Sequence, residues 1–124
     1  MFIVKKRIQL KIGISMIILL GILLRLLFIG RFPVGLNCDE ASTSYDAYAI
    51  LNTLCDRNGN ILPVYPLAWG SGQSALYMYL SIPFIKLLGL NIFATRLPMV
   101  IISSISLIVF YKMLELIDVE KKKL

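Results

Sequence analysis

The 124-residue chain is 58% hydrophobic and only 16% charged, with a mean hydropathy of +0.81. A soluble domain carries about 25% charged residues, so composition excludes an ordinary water-soluble globule and predicts an integral membrane protein. The net charge of +6 comes without histidine, which removes the commonest acid–base group near neutral pH. The positive charge gathers at the two ends, which argues against nucleic acid as a partner.

Lys5, Lys6, Arg7 and Lys11 precede the first apolar segment, and Lys112, Lys121, Lys122 and Lys123 follow the last. The middle holds Arg31, Arg57 and Lys86 against Asp39, Glu40, Asp46 and Asp56. Under the positive-inside rule, basic ends around a mildly acidic centre place both termini in the cytoplasm and the centre outside.

The run Ile12 to Gly30 is apolar except for Arg25 and is long enough to span the hydrocarbon. A signal peptide is the rival reading, but Arg31-Phe32-Pro33 is a poor cleavage site. Arg25 either snorkels to the interface or helps to hold a lipid phosphate.

Asn37 to Leu54 reads as an amphipathic helix, opened by the capping-box pair Asn37 and Glu40. One stripe carries Tyr45, Tyr48 and Asn52, and another Ala47, Ile50, Leu51 and Leu54. Such a helix suits a membrane surface. Cys38 and Cys55 flank it, roughly 25 Å apart at ~1.5 Å per residue. A disulfide needs Cα atoms within ~7 Å, so two free thiols are expected.

Asp56-Arg57-Asn58-Gly59-Asn60 is a turn, and Pro63 and Pro66 keep the next piece extended. Trp69 and nearby tyrosines belong to the types that settle at headgroup level. Gly70-Ser71-Gly72 reads as a flexible polar break.

Ser74 to Leu90 is apolar but short for a span, and Pro83 and Lys86 interrupt it. Ile92 to Tyr111 is a better span, with Arg96 near one end and Pro98 in an early turn. Two crossings keep both basic ends on one side; three would send Lys121-Lys122-Lys123 outward. The expected fold is therefore an all-α integral membrane protein with two transmembrane helices, or three if residues 74–90 also cross. The first span is 12–31, an external loop with two juxtamembrane amphipathic helices is 32–91, the second span is 92–113 and a cytoplasmic tail is 114–124.

Asp39 and Glu40 stand just past the outer end of the first span. A carboxylate there could act as general base toward a hydroxyl acceptor, or share a divalent cation; a solvated helix start is the plain alternative. No cofactor requirement is indicated. Asp46, seven residues after Asp39, could share its helix face. Arg57 and Arg96 are candidate phosphate clamps through planar, bidentate donors, or else a solvated turn residue and an interfacial anchor. Gln73 and Ser74 could hydrogen-bond a sugar. The glycines at 70 and 72 lack the strand–turn–helix setting of a nucleotide phosphate loop.

The order of these features resembles a known family. Leu24-Arg25-Leu26 ends the first span, and Asp39-Glu40 and Tyr45-Asp46-Ala47-Tyr48 follow. Then come Asp56-Arg57-Asn58-Gly59, Trp69-Gly70-Ser71-Gly72-Gln73 and the run Leu87-Leu88-Gly89-Leu90-Asn91-Ile92-Phe93-Ala94-Thr95-Arg96-Leu97-Pro98. Over nearly its whole length the chain is similar to the N-terminal region of polytopic C-type glycosyltransferases. These are the dolichyl-phosphate-mannose protein mannosyltransferases and the bacterial aminoarabinose-transferase-like enzymes.

The resemblance implies transfer of a sugar from a polyprenyl-phosphate donor to a hydroxyl acceptor, with inversion, outside a bacterial plasma membrane. It makes Asp39 the general base and Glu40 a supporting acid, with Asp46, Arg57, Gln73, Arg96 and Arg25 as substrate-binding candidates. Where related enzymes place a Lys-Pro-Pro-Leu stretch, this chain has Gln73-Ser74-Ala75-Leu76, a cation fewer. Family members have many more spans, so the chain is expected to be an N-terminal portion, inactive alone, whose partners are membrane lipid and further helices of a longer or split enzyme. A different class is also open: a small non-catalytic membrane protein docking on partner helices through Ser103, Ser104 and Ser106. A transporter fragment is weaker, since the spans carry no buried acid.

Overall fold

The computed structural model describes residues 2–121, with side chains described from 11 to 117. The basic residues at 5–7 and 121–123 therefore lie outside the described side chains. The chain is mostly helical: α1 (Phe2–Phe28), α2 (Cys38–Thr53), α3 (Ala75–Leu88) and α4 (Ile92–Lys121), with short strands β1 (Leu67–Ala68) and β2 (Ser71–Gly72). It divides into two compact units, one of α1 with α4 from Val100 onward, the other Ile29–Met99.

In the first unit, two stretches are long and apolar enough to cross a membrane, Lys11–Phe28 and Ile92–Ile117, the second beginning in the other unit. Lys11 Nζ lies 2.7 Å from Glu115 Oε1, so the start of one apolar stretch meets the end of the other. Exposed Ile, Leu, Met and Phe side chains run along both helices. Such surfaces suit lipid rather than water.

The second unit has a small core of its own. Ala47 and Ile50 of α2, Met78 and Ile85 of α3, and Ala94 of α4 are buried together, with Leu51, Ala75, Tyr79 and Ile82 packed around them. The spacings 47/50 and 78/85 place each pair on one helix face. Burying Ile50, Met78 and Ile85 stabilises the unit by about 1.5–3 kcal/mol each. The apolar stripe of α2 is thus covered by α3 instead of being left for a membrane surface. Leu54 does not belong to that stripe: it ends α2 in a left-handed conformation, φ 62°, and is exposed.

α3 has 14 residues, about 21 Å of helix at ~1.5 Å per residue, short of the ~30 Å hydrocarbon. Pro83 sits inside it, and Gly89 ends it at φ 77°, a conformation glycine adopts without penalty. α4 continues through Pro98.

The Gly70–Gly72 stretch is a defined hairpin, not a flexible break. Leu67 pairs with Gly72 and Ala68 with Ser71. The two turn residues, Trp69 and Gly70, both have positive φ, 55° and 80°, as a tight hairpin turn requires. At Gly72 the Tyr65 ring lies in the space a Cβ would fill, so a side chain there would displace that ring, and the Gly72 N–H donates to Tyr65 Oη at 3.1 Å. Cys38 and Cys55 are free thiols.

Candidate functional site

The site is built around the start of α2. Asn37 caps the helix: its Oδ1 accepts the Glu40 N–H at 2.7 Å, and Glu40 Oε2 accepts the Asn37 N–H at 3.1 Å. This is the reciprocal capping box expected from residues three apart. Glu40 also meets Arg96, which arrives from the first turns of α4. Arg96 Nε donates to Glu40 Oε1 at 2.9 Å and Nη2 to Oε2 at 3.0 Å.

The remaining donors of Arg96 bind the loop before α2. Nη1 donates to Ile29 O at 3.0 Å and Pro33 O at 2.9 Å, and Nη2 to Gly35 O at 2.5 Å. A guanidinium has five N–H groups, and each has a partner here. Arg96 is 7% exposed. Its hydrogen bond to Glu40 is the largest influence holding that carboxyl below its ordinary value of 4.5, against the opposing effect of burial.

Ser44, on the inner face of α2, tightens the same joint. Its Oγ lies 2.6 Å from Glu40 O and 2.9 Å from Thr95 Oγ1, and Tyr77 Oη donates to Thr95 O at 2.5 Å.

Asp39 differs from its neighbour. It is exposed, and its carboxylate has no hydrogen-bond or ion-pair partner among the described residues. It lines a cleft of about 390 Å³ with Thr43, Trp69, Ser71, Gln73 and Ser74. The hairpin supplies Trp69 and Ser71, α2 supplies Asp39 and Thr43, and the lead into α3 supplies Gln73 and Ser74.

Asp46 does not join Asp39 at the cleft. It is wholly buried and gripped by Arg57: Nε to Oδ1 at 2.8 Å, Nη2 to Oδ2 at 2.8 Å, and the Arg57 backbone N–H to Oδ1 at 3.1 Å. Arg57 Nη2 also donates to Ser42 O at 2.5 Å and to Ser42 Oγ. These bonds to Asp46 raise the guanidinium's already high pKa further. Arg57 is thus a tertiary anchor, not a solvated turn residue.

Ser42 passes the arrangement on, donating from Oγ to Gln73 Oε1 at 3.0 Å. The Gln73 N–H donates to Pro66 O at 2.8 Å. Its side-chain Nε2 is buried without a hydrogen-bond partner.

Asp56 closes the turn after α2. Its Oδ1 accepts the N–H of Asn58 at 2.9 Å and of Asn60 at 2.8 Å, and Oδ2 accepts from Asn60 Nδ2 at 3.0 Å. Burial is the largest single influence and raises its pKa, but the bonds from Asn60 and Asn58 together outweigh it and hold the carboxyl below 3.8. Among the described residues no group of three or more Cys, Asp or Glu is placed to hold a metal ion.

Arg25 belongs to the other unit, where Nη1 donates to Gly21 O of its own helix at 3.0 Å. Ser103 and Ser104 bond to Val100 O, and Ser106 to Ile102 O. Each of these hydroxyls is satisfied within α4.

The sequence reading did not single out Ser42, Thr43, Ser44 or Thr95. The signal available was the run Ser42-Thr43-Ser44 inside a helix, where hydroxyl residues are poor formers unless they meet partners. Searches among family models, curated proteins and solved structures find no match for this chain.

Proposed function

We propose that the chain carries the general-base loop of a membrane glycosyltransferase that moves a sugar from a polyprenyl-phosphate donor to a hydroxyl acceptor. In this reading α1 and α4 cross a plasma membrane, residues 32–91 lie outside, and both termini are cytoplasmic. The basic ends support that orientation. The Lys11–Glu115 pair suits two antiparallel crossings whose outer segments face one side.

The observation that carries the reading is the division of labour between neighbouring acids. Both oxygens of Glu40 are committed to Arg96 and the helix cap, while Asp39 stands unpaired at a cleft. A general base must reach the proton that it takes, and of the two only Asp39 is free to do so. Asp39 accepts the proton of the acceptor hydroxyl as that oxygen attacks the anomeric carbon. The bond from this carbon to the phosphate oxygen breaks, polyprenyl phosphate leaves with the electron pair, and the anomeric configuration inverts. Glu40, Arg96, Asp46 and Arg57 hold the frame around the base.

The test uses this chain together with the further membrane helices that the reading expects, in lipid nanodiscs, with a panel of polyprenyl-phosphate sugars and soluble hydroxyl acceptors. Release of polyprenyl phosphate together with a new glycoside of inverted configuration is expected. No release with any donor, or product of retained configuration, removes the reading.

A further inference from the structure

Residues 61–69 are inside out for a water-facing loop. Pro63, Pro66 and Ala68 are buried, while Ile61, Leu62, Val64, Tyr65, Leu67 and Trp69 are exposed. Val64 is 87% exposed and Ile61 75%. No Asp, Glu, Lys or Arg stands anywhere between Arg57 and Lys86. Single exposed apolar side chains are ordinary, but a run of them marks a contact surface.

The backbone carries the same signal. Among the described residues the non-glycine positions with positive φ are Leu54 at 62°, Leu62 at 42° and Trp69 at 55°. Glycine takes such a conformation without penalty, and a bulky side chain does not. All three residues are large, apolar and exposed. Leu54 adjoins the run directly, since the Leu62 N–H donates to Leu54 O at 3.0 Å. Strain at exposed apolar residues gains nothing in water, so it points to a contact.

The run is also fixed, and much of its backbone is already paired. Tyr79 Oη donates to Pro63 O at 3.0 Å, the Gln73 N–H to Pro66 O at 2.8 Å, and Asn58 Nδ2 to Leu67 O at 3.0 Å. Pro63 and Pro66 have no N–H to satisfy, and Leu67 and Ala68 pair with β2. Irregular backbone meets lipid only where its polar groups are bonded internally, and these bonds serve that need.

We propose that this ridge, Leu54 with residues 61–69, seats in the external lipid leaflet at the boundary of headgroups and acyl chains. Lipid is the occupant that connectivity and charge favour. Ile29 follows directly on α1, and the membrane-length stretch Ile92–Ile117 begins inside the same unit, so apolar helices tether the unit at both ends. An uncharged ridge suits acyl chains, and its Trp and Tyr suit the headgroup level. The sequence pattern gave the surface role to α2, but α3 covers that apolar stripe, and the ridge is the surface left for lipid. Trp69 also lines the cleft with Asp39, so a seated ridge sets that cleft beside lipid. The proposal rests on α1 and α4 crossing the membrane and is independent of sugar transfer.

Trp69 is the only tryptophan in the 124-residue chain, so its fluorescence reports the ridge without labelling. The chain is placed in phosphatidylcholine nanodiscs containing lipids brominated near the carbonyl end or near the methyl end of the acyl chain. Acrylamide is added separately as the aqueous quencher. The expected result is loss of Trp69 emission to carbonyl-end bromines, less to methyl-end bromines, and little to acrylamide. Exchanging part of the phosphatidylcholine for phosphatidylglycerol should leave that loss unchanged, because the ridge carries no charge. Ile61→Ser combined with Val64→Ser should restore emission in brominated lipid and open Trp69 to acrylamide. Both side chains are exposed, so the fold should be kept.

In a Trp69→Phe background, Leu20→Trp reports α1 and should be quenched most by methyl-end bromines. Quenching there without quenching at Trp69 overturns the ridge and keeps the crossings; the reverse keeps the ridge and removes the crossings. No quenching at either position overturns both. Trp69 reached by acrylamide alone, shielded from both quenchers by a protein cover, quenched only with anionic lipid, or quenched equally in the serine variant also overturns the proposal.

Discussion

Glu40 and Asp39 are adjacent, yet their surroundings separate them into different kinds of residue. Glu40 is held below its ordinary value of 4.5, so its folded form favours the carboxylate more than the unfolded chain does. Its contribution to stability is full above that ordinary value and is lost as pH falls through the lower folded value. Thermal melts in mild detergent should be flat from neutral pH down to the usual carboxylate range and then fall, and Glu40→Gln should reduce the fall. At neutral pH the same substitution should cost about 1.5–3 kcal/mol, the range for hydrogen bonds to charged groups, measured by denaturant titration. Arg96→Lys should be comparably destabilising, because an ammonium has three donors in place of a planar five-donor fork and cannot serve Glu40 and three carbonyls together. A melt of Arg96→Lys equal to the parent's would mean that the fork geometry is irrelevant.

Among the elements, α2 and the hairpin frame the cleft, and their legibility in the sequence differs for a physical reason. The start of α2 could be read because the capping box is local, Asn37 to Glu40. The Glu40–Arg96 clasp could not, because its partners stand 56 residues apart and an arginine near an apolar run reads equally well as an interfacial anchor. The apolar stripe was readable at Ala47 and Ile50, whereas its continuation through Ser42 and Ser44 is polar and invisible to a hydrophobic period. The hairpin was hidden because each strand has two residues, too few for alternation to appear. α3 holds α2 in place through Met78, so Met78→Ala should cost about 2–5 kcal/mol. Leu76→Ala, at a side chain 71% exposed, should change stability by less than about 0.5 kcal/mol. Equal effects in a denaturation series would contradict the packing of α2 on α3.

For the whole molecule, composition and the charged ends pointed to a membrane before any contact was known, and the two long apolar helices agree with that. Orientation rests on the charge pattern, and it can be measured. In intact cells an impermeant maleimide should label Cys38, which is exposed, faster than the half-buried Cys55; protection of both until the membrane is opened would invert the topology. What composition could not supply was which of the two neighbouring acids is left unpaired, which depends on what Arg96 takes up. The central claim is that Asp39 takes the proton and Glu40 does not. The direct measurement is the initial rate of sugar transfer from a polyprenyl-phosphate donor, compared among the parent, Asp39→Asn and Glu40→Gln at matched amounts of folded protein. The account predicts a loss of about 10²- to 10⁴-fold for Asp39→Asn, the range for a general base, with an unchanged melting temperature. It predicts that Glu40→Gln lowers the melting temperature and reduces the rate far less. Parent-like transfer in Asp39→Asn, or the larger loss in Glu40→Gln, would contradict it.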